Sequence, residues 1–293
     1  MPGIIKKSTK TYLMKRFFTP AALVLTVCTF GLFLVNGCLK ENSLDTETTS
    51  ATDNNICEGE FMRVLPTVNK IAIDEPGVHR YGSNHVFVQS CPSVMVDTGT
   101  QANQWPRYMT IDYGTGCTDS IDGKIRKGKI HMTLAGPWDV IGSVATITLD
   151  TFFVGAIQYE GTVTLTRTGT DTWHKTVTNG KCTKNSATAP WTILFACDRD
   201  ITFTSGNTSS SVSPVITISG TNSGTDRNGT QWTSTIDPAN PIVRDLGCTW
   251  ITKGKVTLTP AGKSDRVVDF GNGTCDNKGT VTIDGNTFEF SMQ

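Results

Sequence analysis

The chain has 293 residues, with 26 basic and 26 acidic side chains and nine cysteines. Five basic residues and no acidic ones lie in residues 1–37, so the remainder of the chain carries 21 basic and 26 acidic side chains. This negative balance argues against a nucleic-acid-binding surface, and the length is ample for a hydrophobic core.

The first part of the chain has the features of an export signal. Residues 1–20 are basic, and a mostly apolar run follows from Ala21 to Val35. Such a run is too short for a comfortable transmembrane helix and is typical of a signal peptide. It closes in Phe33-Leu34-Val35-Asn36-Gly37-Cys38, which resembles the lipobox of bacterial lipoproteins. We therefore predict a signal peptide over residues 1–37 and a lipid on Cys38; the alternative is an uncut membrane anchor.

The residues after Cys38 bear on where the protein resides. Lys40-Glu41 resembles the short charged signal with which some lipoproteins of the Bacteroidota reach the outer face of the outer membrane. The resemblance implies a lipid-anchored outer-membrane protein with its body exposed at the cell surface. A body that faces the periplasm is the alternative.

A strongly polar segment follows the predicted lipidation site. Between Glu41 and Asn55 only one side chain is apolar and larger than alanine, which is too little to offset the entropy lost on ordering. Residues 38–56 are therefore predicted to be a lipidated cysteine and a flexible tether. In residues 57–85, apolar side chains at mixed spacings of three and four indicate an N-terminal segment with a short helix, interrupted by Pro66.

Residues 86–293 alternate threonine with aliphatic side chains. Examples are Val163-Thr164-Leu165-Thr166 and Val256-Thr257-Leu258-Thr259, and Gly-rich turns such as Ile283-Asp284-Gly285 separate such runs. Threonine is β-branched and tolerates water, so this pattern favours strands with one buried and one wet face. Asp-Gly supplies the positive φ angles of tight hairpin turns. We predict an all-β body, an antiparallel meander of more than ten strands that forms an elongated sandwich or a curved sheet.

A short sequence occurs twice within this body. Ile111–Cys117 recurs as Val268–Cys275 with one inserted residue, and each copy ends a hairpin that begins at a cysteine. Two related hairpin units, 91–117 and 248–275, are therefore predicted.

The cysteines are expected to form disulfides because an exported protein meets an oxidising compartment. Each of three predicted hairpins brings its own two cysteines together, and Cys57 is left over. The sequence has no Cys-x-x-Cys pair, so a metal site is not expected. The predicted pairs are Cys91 with Cys117, Cys182 with Cys197, and Cys248 with Cys275.

Several of these features together resemble a family of Thr-rich, all-β lipoproteins of the Bacteroidota. The likeness rests on the lipobox, the polar tether, Asp112–Cys117 followed by Asp122–Ile130, and the tail from Asp269 to Gly285. It spans roughly residues 88 to 293 and implies an envelope location and an all-β body, without an activity. Asp119-Ser120-Ile121 also resembles the O-glycosylation site of that group, with an ordinary turn as the alternative.

One enzymatic hypothesis rests on two carboxylates. Val94-Met95-Val96-Asp97-Thr98-Gly99-Thr100 resembles the active-site strand of aspartic peptidases, in which two carboxylates share a proton and activate water. Asp112 is the nearest second carboxylate in a similar context. The simpler interpretation is that Asp97 and Asp112 both end strands.

Three tryptophans adjoin prolines in predicted loops: Trp105, Trp138 and Trp191. Exposed indoles on a β scaffold can stack on sugar rings or anchor a protein partner. Packing within the body is the alternative.

These observations favour a membrane-anchored envelope lipoprotein with a noncatalytic binding or structural role, toward a glycan or another envelope protein. The alternative is an aspartic-peptidase-like hydrolase that uses Asp97 and Asp112. No cofactor is expected.

Overall fold

A computed structural model describes residues 44–74, 85–87, 92–97, 105–119, 122–205 and 213–292. The chain divides into two compact units, residues 1–44 and 45–293, and every described residue except Leu44 belongs to the second. The predicted signal peptide, Cys38, Cys91 and Ser120 lie outside the described residues. Within the described part of the chain, no helix is long and apolar enough to cross a membrane.

Antiparallel strands make up most of the fold. The described residues form one sheet of sixteen strands. The strands are β1 His85–Phe87, β2 Ser93–Asp97, β3 Arg107–Asp112, β4 Cys117–Thr118, β5 Ile125–Leu134, β6 Val144–Val154, β7 Ile157–Arg167, β8 Thr172–Lys184, β9 Trp191–Ser205, β10 Val215–Thr225, β11 Gln231–Ile236, β12 Ile242–Asp245, β13 Lys253–Pro260, β14 Arg266–Asn272, β15 Lys278–Ile283 and β16 Asn286–Ser291.

Strands that follow one another in sequence are neighbours along nearly the whole sheet. The exceptions are β4, which pairs with β5, and β12, which pairs with β10 and β13. The predicted antiparallel meander of more than ten strands is therefore confirmed. The described strands all join one hydrogen-bonded sheet.

The alternation seen in the sequence sorts side chains between the two faces of the sheet. In β11, for example, Trp232 and Ile236 are buried while Thr233 and Thr235 between them are exposed. The antiparallel register aligns outer threonines of neighbouring strands into rows. One such row consists of Thr133, Thr146, Thr164 and Thr176.

Two helices precede the sheet: α1, Thr49–Phe61, and α2, Val64–Asp74. Side chains of α1 are buried on nearly all sides of the helix, and their hydrogen-bond partners include Arg126 of β5, Arg199 of β9 and Asn222 of β10. The sheet therefore wraps around α1. Pro66 lies in the first turn of α2, where a missing N–H is tolerated, so it does not interrupt a helix. The two helices are separated by a turn at Met62 and Arg63.

The prediction that the flexible tether extends to residue 56 is wrong. Helix α1 starts at Thr49, and Ser50, Asp53 and Asn54 are at most 3% exposed. Polar composition alone predicts disorder because these groups cannot be buried unpaired. Here strand side chains supply the hydrogen bonds, as with the Ser50 hydroxyl, which donates to Asp226 at 2.7 Å.

One predicted disulfide is present and another is replaced. Cys248 is bonded to Cys275 as predicted, whereas Cys182 is bonded to Cys57 in α1, and Cys197 is a buried free thiol. The predicted bond between Cys182 and Cys197 is wrong because of the register. Cys182 lies opposite Ile193, four residues from Cys197 on β9, roughly 13 Å along the strand. Cysteines bridge only when their Cα atoms lie within about 7 Å.

Cys117 is also disulfide-bonded, and Cys91, its predicted partner, lies outside the described residues. Cys57 is therefore not the left-over cysteine that the sequence suggested. The bond from Cys57 ties α1 covalently to β8, which hairpin reasoning could not anticipate because it considered only cysteines joined by a short loop.

The two segments with similar sequences adopt similar local structures. Asp112 accepts a hydrogen bond of 2.7 Å from the backbone N–H two residues further on, and Lys129 of the adjoining strand lies 3.1 Å from its other oxygen. Asp269 accepts the corresponding bond at 2.9 Å, with Lys255 at 3.0 Å. In both segments, an aspartate carboxylate accepts from the backbone N–H two residues further on and pairs with a lysine of the adjoining strand.

Candidate functional site

The polar residues of α1 are held by arginines of the sheet and of the β10–β11 turn. Glu58 accepts hydrogen bonds from Nε and Nη2 of Arg199 at 3.1 and 2.7 Å. Asp53 accepts hydrogen bonds from the backbone N–H and Nε of Arg227, both at 2.8 Å. These pairs fix the rotation of α1 inside the sheet.

The C-terminal end of α1 adjoins a buried group of ion pairs centred on Arg126. Its Nε and Nη2 each donate to Glu60 at 3.0 Å, and its Nη1 lies 2.9 Å from Asp122 and 3.1 Å from Asp119. Asp122 also pairs with Arg63 at 3.2 Å. Burial opposes ionisation of Asp122, but the hydrogen bond from Arg126 and the charges of Arg63 and Arg126 hold its pKa at about 2.

A cavity of about 430 Å³ lies against α1 beside these ion pairs. It is bounded by the starts of β5 and β7, the β6–β7 turn and the segment that follows β12. Its mouth includes the exposed Gly155 and Ile125, whose side chain is 58% exposed. The buried side chains of its wall are those of Asn55, Ile56, Glu60, Val154, Tyr159, Arg244, Ile251 and Met292.

Arg244 is the most unusual side chain of this wall. It is 2% exposed, and its guanidinium donates only to neutral acceptors: Gly59 O at 2.9 Å, Thr249 O at 3.2 Å and the Met62 sulfur at 4.0 Å. Its Nε–H is buried and has no hydrogen-bond partner in the described part of the chain. Burial and the nearby charge of Arg63 lower the pKa of Arg244 to about 9.

The charges around the cavity do not balance. No carboxylate among the described residues forms an ion pair with Arg244 or with the half-buried Lys124, which also lines the cavity. We refer to the charged side chains here as the basic cluster. It contains four cations and three carboxylates, namely Arg63, Lys124, Arg126, Arg244, Glu60, Asp119 and Asp122.

The space beside Gly59 in the wall of the cavity is empty. Gly59 lies inside α1, and a Cβ built on it would meet no atom within 4 Å. A glycine within a helix costs about 0.5 to 1 kcal/mol relative to alanine. Packing does not require this glycine, because the space beside it is empty.

The structure does not bring the predicted peptidase carboxylates together. Asp97 lies opposite Tyr108 in the β2–β3 pair, and Asp112 is four residues further along β3, roughly 13 Å away. The hydrogen bond from Gly114 and the pairing with Lys129 lower the pKa of Asp112. A dyad that shares one proton needs adjacent carboxylates, so these two aspartates do not form one.

The three loop tryptophans do not form a common exposed face. Trp138 is 2% exposed, stacks on Trp173 with ring centroids 4.3 Å apart, and donates to Asn69 at 2.9 Å, so it is packed within the body and is not an exposed binding residue. Trp105 and Trp191 are partly buried against the core. In each case a guanidinium covers the ring, Arg107 over Trp105 at 4.6 Å and Arg227 over Trp191 at 4.7 Å.

Among the described residues, no group of three or more His, Cys, Asp or Glu side chains is arranged to hold a metal ion. Asp119 and Asp122 are both paired with Arg126.

Sequence reasoning missed the inward-facing arginines. Arg244 stands two residues from the buried Ile242 in β12, and Arg199 two residues from Ile201 in β9, so both share a face with core side chains. An arginine two residues from a core side chain in a strand is expected to face the core as well. This pattern in the sequence would have predicted that Arg244 and Arg199 are buried, but it would not have predicted that they bind α1.

Comparison of the chain with models of protein families, with curated proteins and with solved structures found no match. The resemblance to the Thr-rich lipoproteins of the Bacteroidota therefore stays a prediction.

Proposed function

We propose that this protein is a lipid-anchored, noncatalytic envelope lipoprotein that binds a small molecule in the cavity beside α1. The observation that carries the proposal is Gly59, a helical glycine that adjoins empty space in a wall that also contains buried apolar side chains and the buried Arg244. A cavity of about 430 Å³ falls within the range of small-molecule sites, which are mostly apolar with a few polar groups.

The lining supports binding more than catalysis. Tyr159 is held as a neutral phenol because burial raises its pKa, and its hydroxyl donates to Ile56 O at 3.4 Å. Glu60 is bound to Arg126 through both of its oxygens. Neither group is poised to exchange a proton with a substrate, so the cavity offers recognition without an acid–base pair.

Two variants of Gly59 test this proposal. Gly59→Phe would fill the cavity, whereas Gly59→Ala adds one methyl group and favours the helix. The probe is N-phenyl-naphthylamine, an uncharged apolar dye that fluoresces when it leaves water. We expect the wild type and Gly59→Ala to bind the dye and Gly59→Phe to lose binding by tenfold or more while remaining folded by circular dichroism. Equal binding by both variants, or no binding by the wild type, would contradict the proposal.

A glycan partner on the outer face is the second candidate, as predicted from the sequence. A shallow groove of about 750 Å³ on β8 to β11 and β13 supports it, because hydroxyl, amide and ammonium groups line it beside Leu194, which is 50% exposed. Glycan-array binding that Leu194→Ser abolishes and Gly59→Phe leaves intact would favour this candidate.

A further inference from the structure

Resting on the proposed binding function, we infer that the cavity ligand is a monoanion with an apolar body, such as a medium-chain carboxylate, and that the Arg244 guanidinium holds its charged end. The inference concerns the chemical class of the ligand, which the shape of the cavity alone does not define.

Arg244 is a buried cation whose described hydrogen-bond acceptors are neutral. A buried cation is strongly destabilising unless an anion neutralises it. Arg244 is surrounded by carbonyl oxygens and a thioether, and its Nε–H lacks an acceptor among the described residues. A carboxylate or sulfonate group in the cavity would neutralise the charge of the guanidinium, because guanidinium groups bind such anions well.

The second argument is the charge balance of the basic cluster. Its three carboxylates are already committed to Arg126 and Arg63 at distances of 2.9 to 3.2 Å. One positive charge is left uncompensated among the seven groups. A single negative charge on the ligand restores neutrality, whereas a cationic ligand would add to the repulsion that already lowers the pKa of Arg244.

The third argument is the composition of the remaining wall. Apolar side chains run from the mouth to the interior of the cavity. The exposed Ile125 stands at the mouth and the buried Ile251 and Met292 lie deeper. Burial of a hydrocarbon chain against these groups contributes roughly 0.8 kcal/mol per CH₂. An inorganic anion would leave this surface unused, so the ligand carries an apolar body.

The test compares ligands that share a chain and differ in the head group. Decanoate, decyl sulfonate, decanol and decylamine are each used to displace N-phenyl-naphthylamine from the full-length protein at low salt and pH 7. We expect decanoate and decyl sulfonate to displace the dye at least tenfold more effectively than decanol, and decylamine to be the weakest. A preference for only one of the two anions identifies the head group and supports the inference equally.

Arg244→Gln is the matched variant, since it keeps a hydrogen-bonding group without the charge. We expect it to lose the preference for the anions, so that decanoate and decyl sulfonate displace the dye no more effectively than decanol does. If this variant does not fold, the ligand series on the wild type still decides the matter. Equal displacement by decanol and decanoate, or strongest displacement by decylamine, overturns the inference and leaves the binding function standing. Absence of dye binding by the wild type contradicts the proposed function itself.

Discussion

Glu58 of α1 and Arg199 of β9 form a buried ion pair, joined by two hydrogen bonds of 3.1 and 2.7 Å, with side chains 3% and 0% exposed. The two residues are 141 positions apart in the sequence, so the pair is a long-range contact between the helix and the middle of the sheet. The polar helix and the inward arginines therefore depend on each other.

Arg199→Met tests this dependence. The substitution leaves Glu58 buried without its cation, and breaking a buried ion pair from one side costs about 3 to 5 kcal/mol. The double variant Glu58→Met, Arg199→Met removes both charges and is expected to be more stable than the single variant. Urea unfolding followed by circular dichroism gives the free energies. If the effects of the two substitutions simply add, the pair is not coupled.

Asp122→Asn is expected to lower the free energy of unfolding at neutral pH, and to lower it by less at acidic pH. The pKa of Asp122 is held at about 2, below an unfolded value of about 3.9. Its contribution to stability is therefore complete above pH 4 and disappears as the pH falls through about 2. Urea midpoints of both proteins at several pH values should converge toward pH 2. A difference that stays constant down to pH 2 would contradict the ion-pair account.

Cys57 and Cys197 are expected to contribute differently to the stability of the protein. Cys57→Ser is expected to destabilise the protein strongly, because its bond to Cys182 closes a loop of 125 residues, and loops of this length correspond to about 5 kcal/mol in the chain-entropy model. Cys197→Ser should have a much smaller effect, since Cys197 makes no disulfide. Thermal unfolding without reductant measures both.

Peptide mapping provides the control for this prediction. Alkylation of the unfolded, unreduced protein should label Cys197, and the peptides that carry Cys57 and Cys182 should remain linked. Recovery of Cys182 linked to Cys197 would restore the hairpin pairing and contradict the structure.

Much of the fold followed from the sequence, and the limits have physical causes. Threonine alternation such as that of Val163 to Thr166 predicted the meander, because a period of two residues reports directly on which face of a strand is buried. The polar stretch that becomes α1 gave no such pattern: its partners are arginines more than sixty residues away. Gly59 likewise reveals its role only when the space beside it is known.

The lipid anchor is a prediction about the part of the chain outside the described residues. Cys38→Ala should convert the protein from a membrane-bound to a soluble form within the cell envelope, since the thiol is the expected attachment point.

Surface exposure is a separate prediction: protease treatment of intact cells should remove the wild-type body while periplasmic control proteins survive. The protein must first be cleaved in lysed cells, because its disulfides could make it resistant. Protection of the body until lysis would place it inside the envelope.

The most direct test of the central claim is a crystal structure of the protein grown with decanoate. The account predicts density for the apolar chain in the cavity beside Gly59, with a carboxylate oxygen within about 3 Å of the Arg244 guanidinium. An unoccupied cavity at saturating decanoate, or a carboxylate directed away from Arg244 toward solvent, would contradict it.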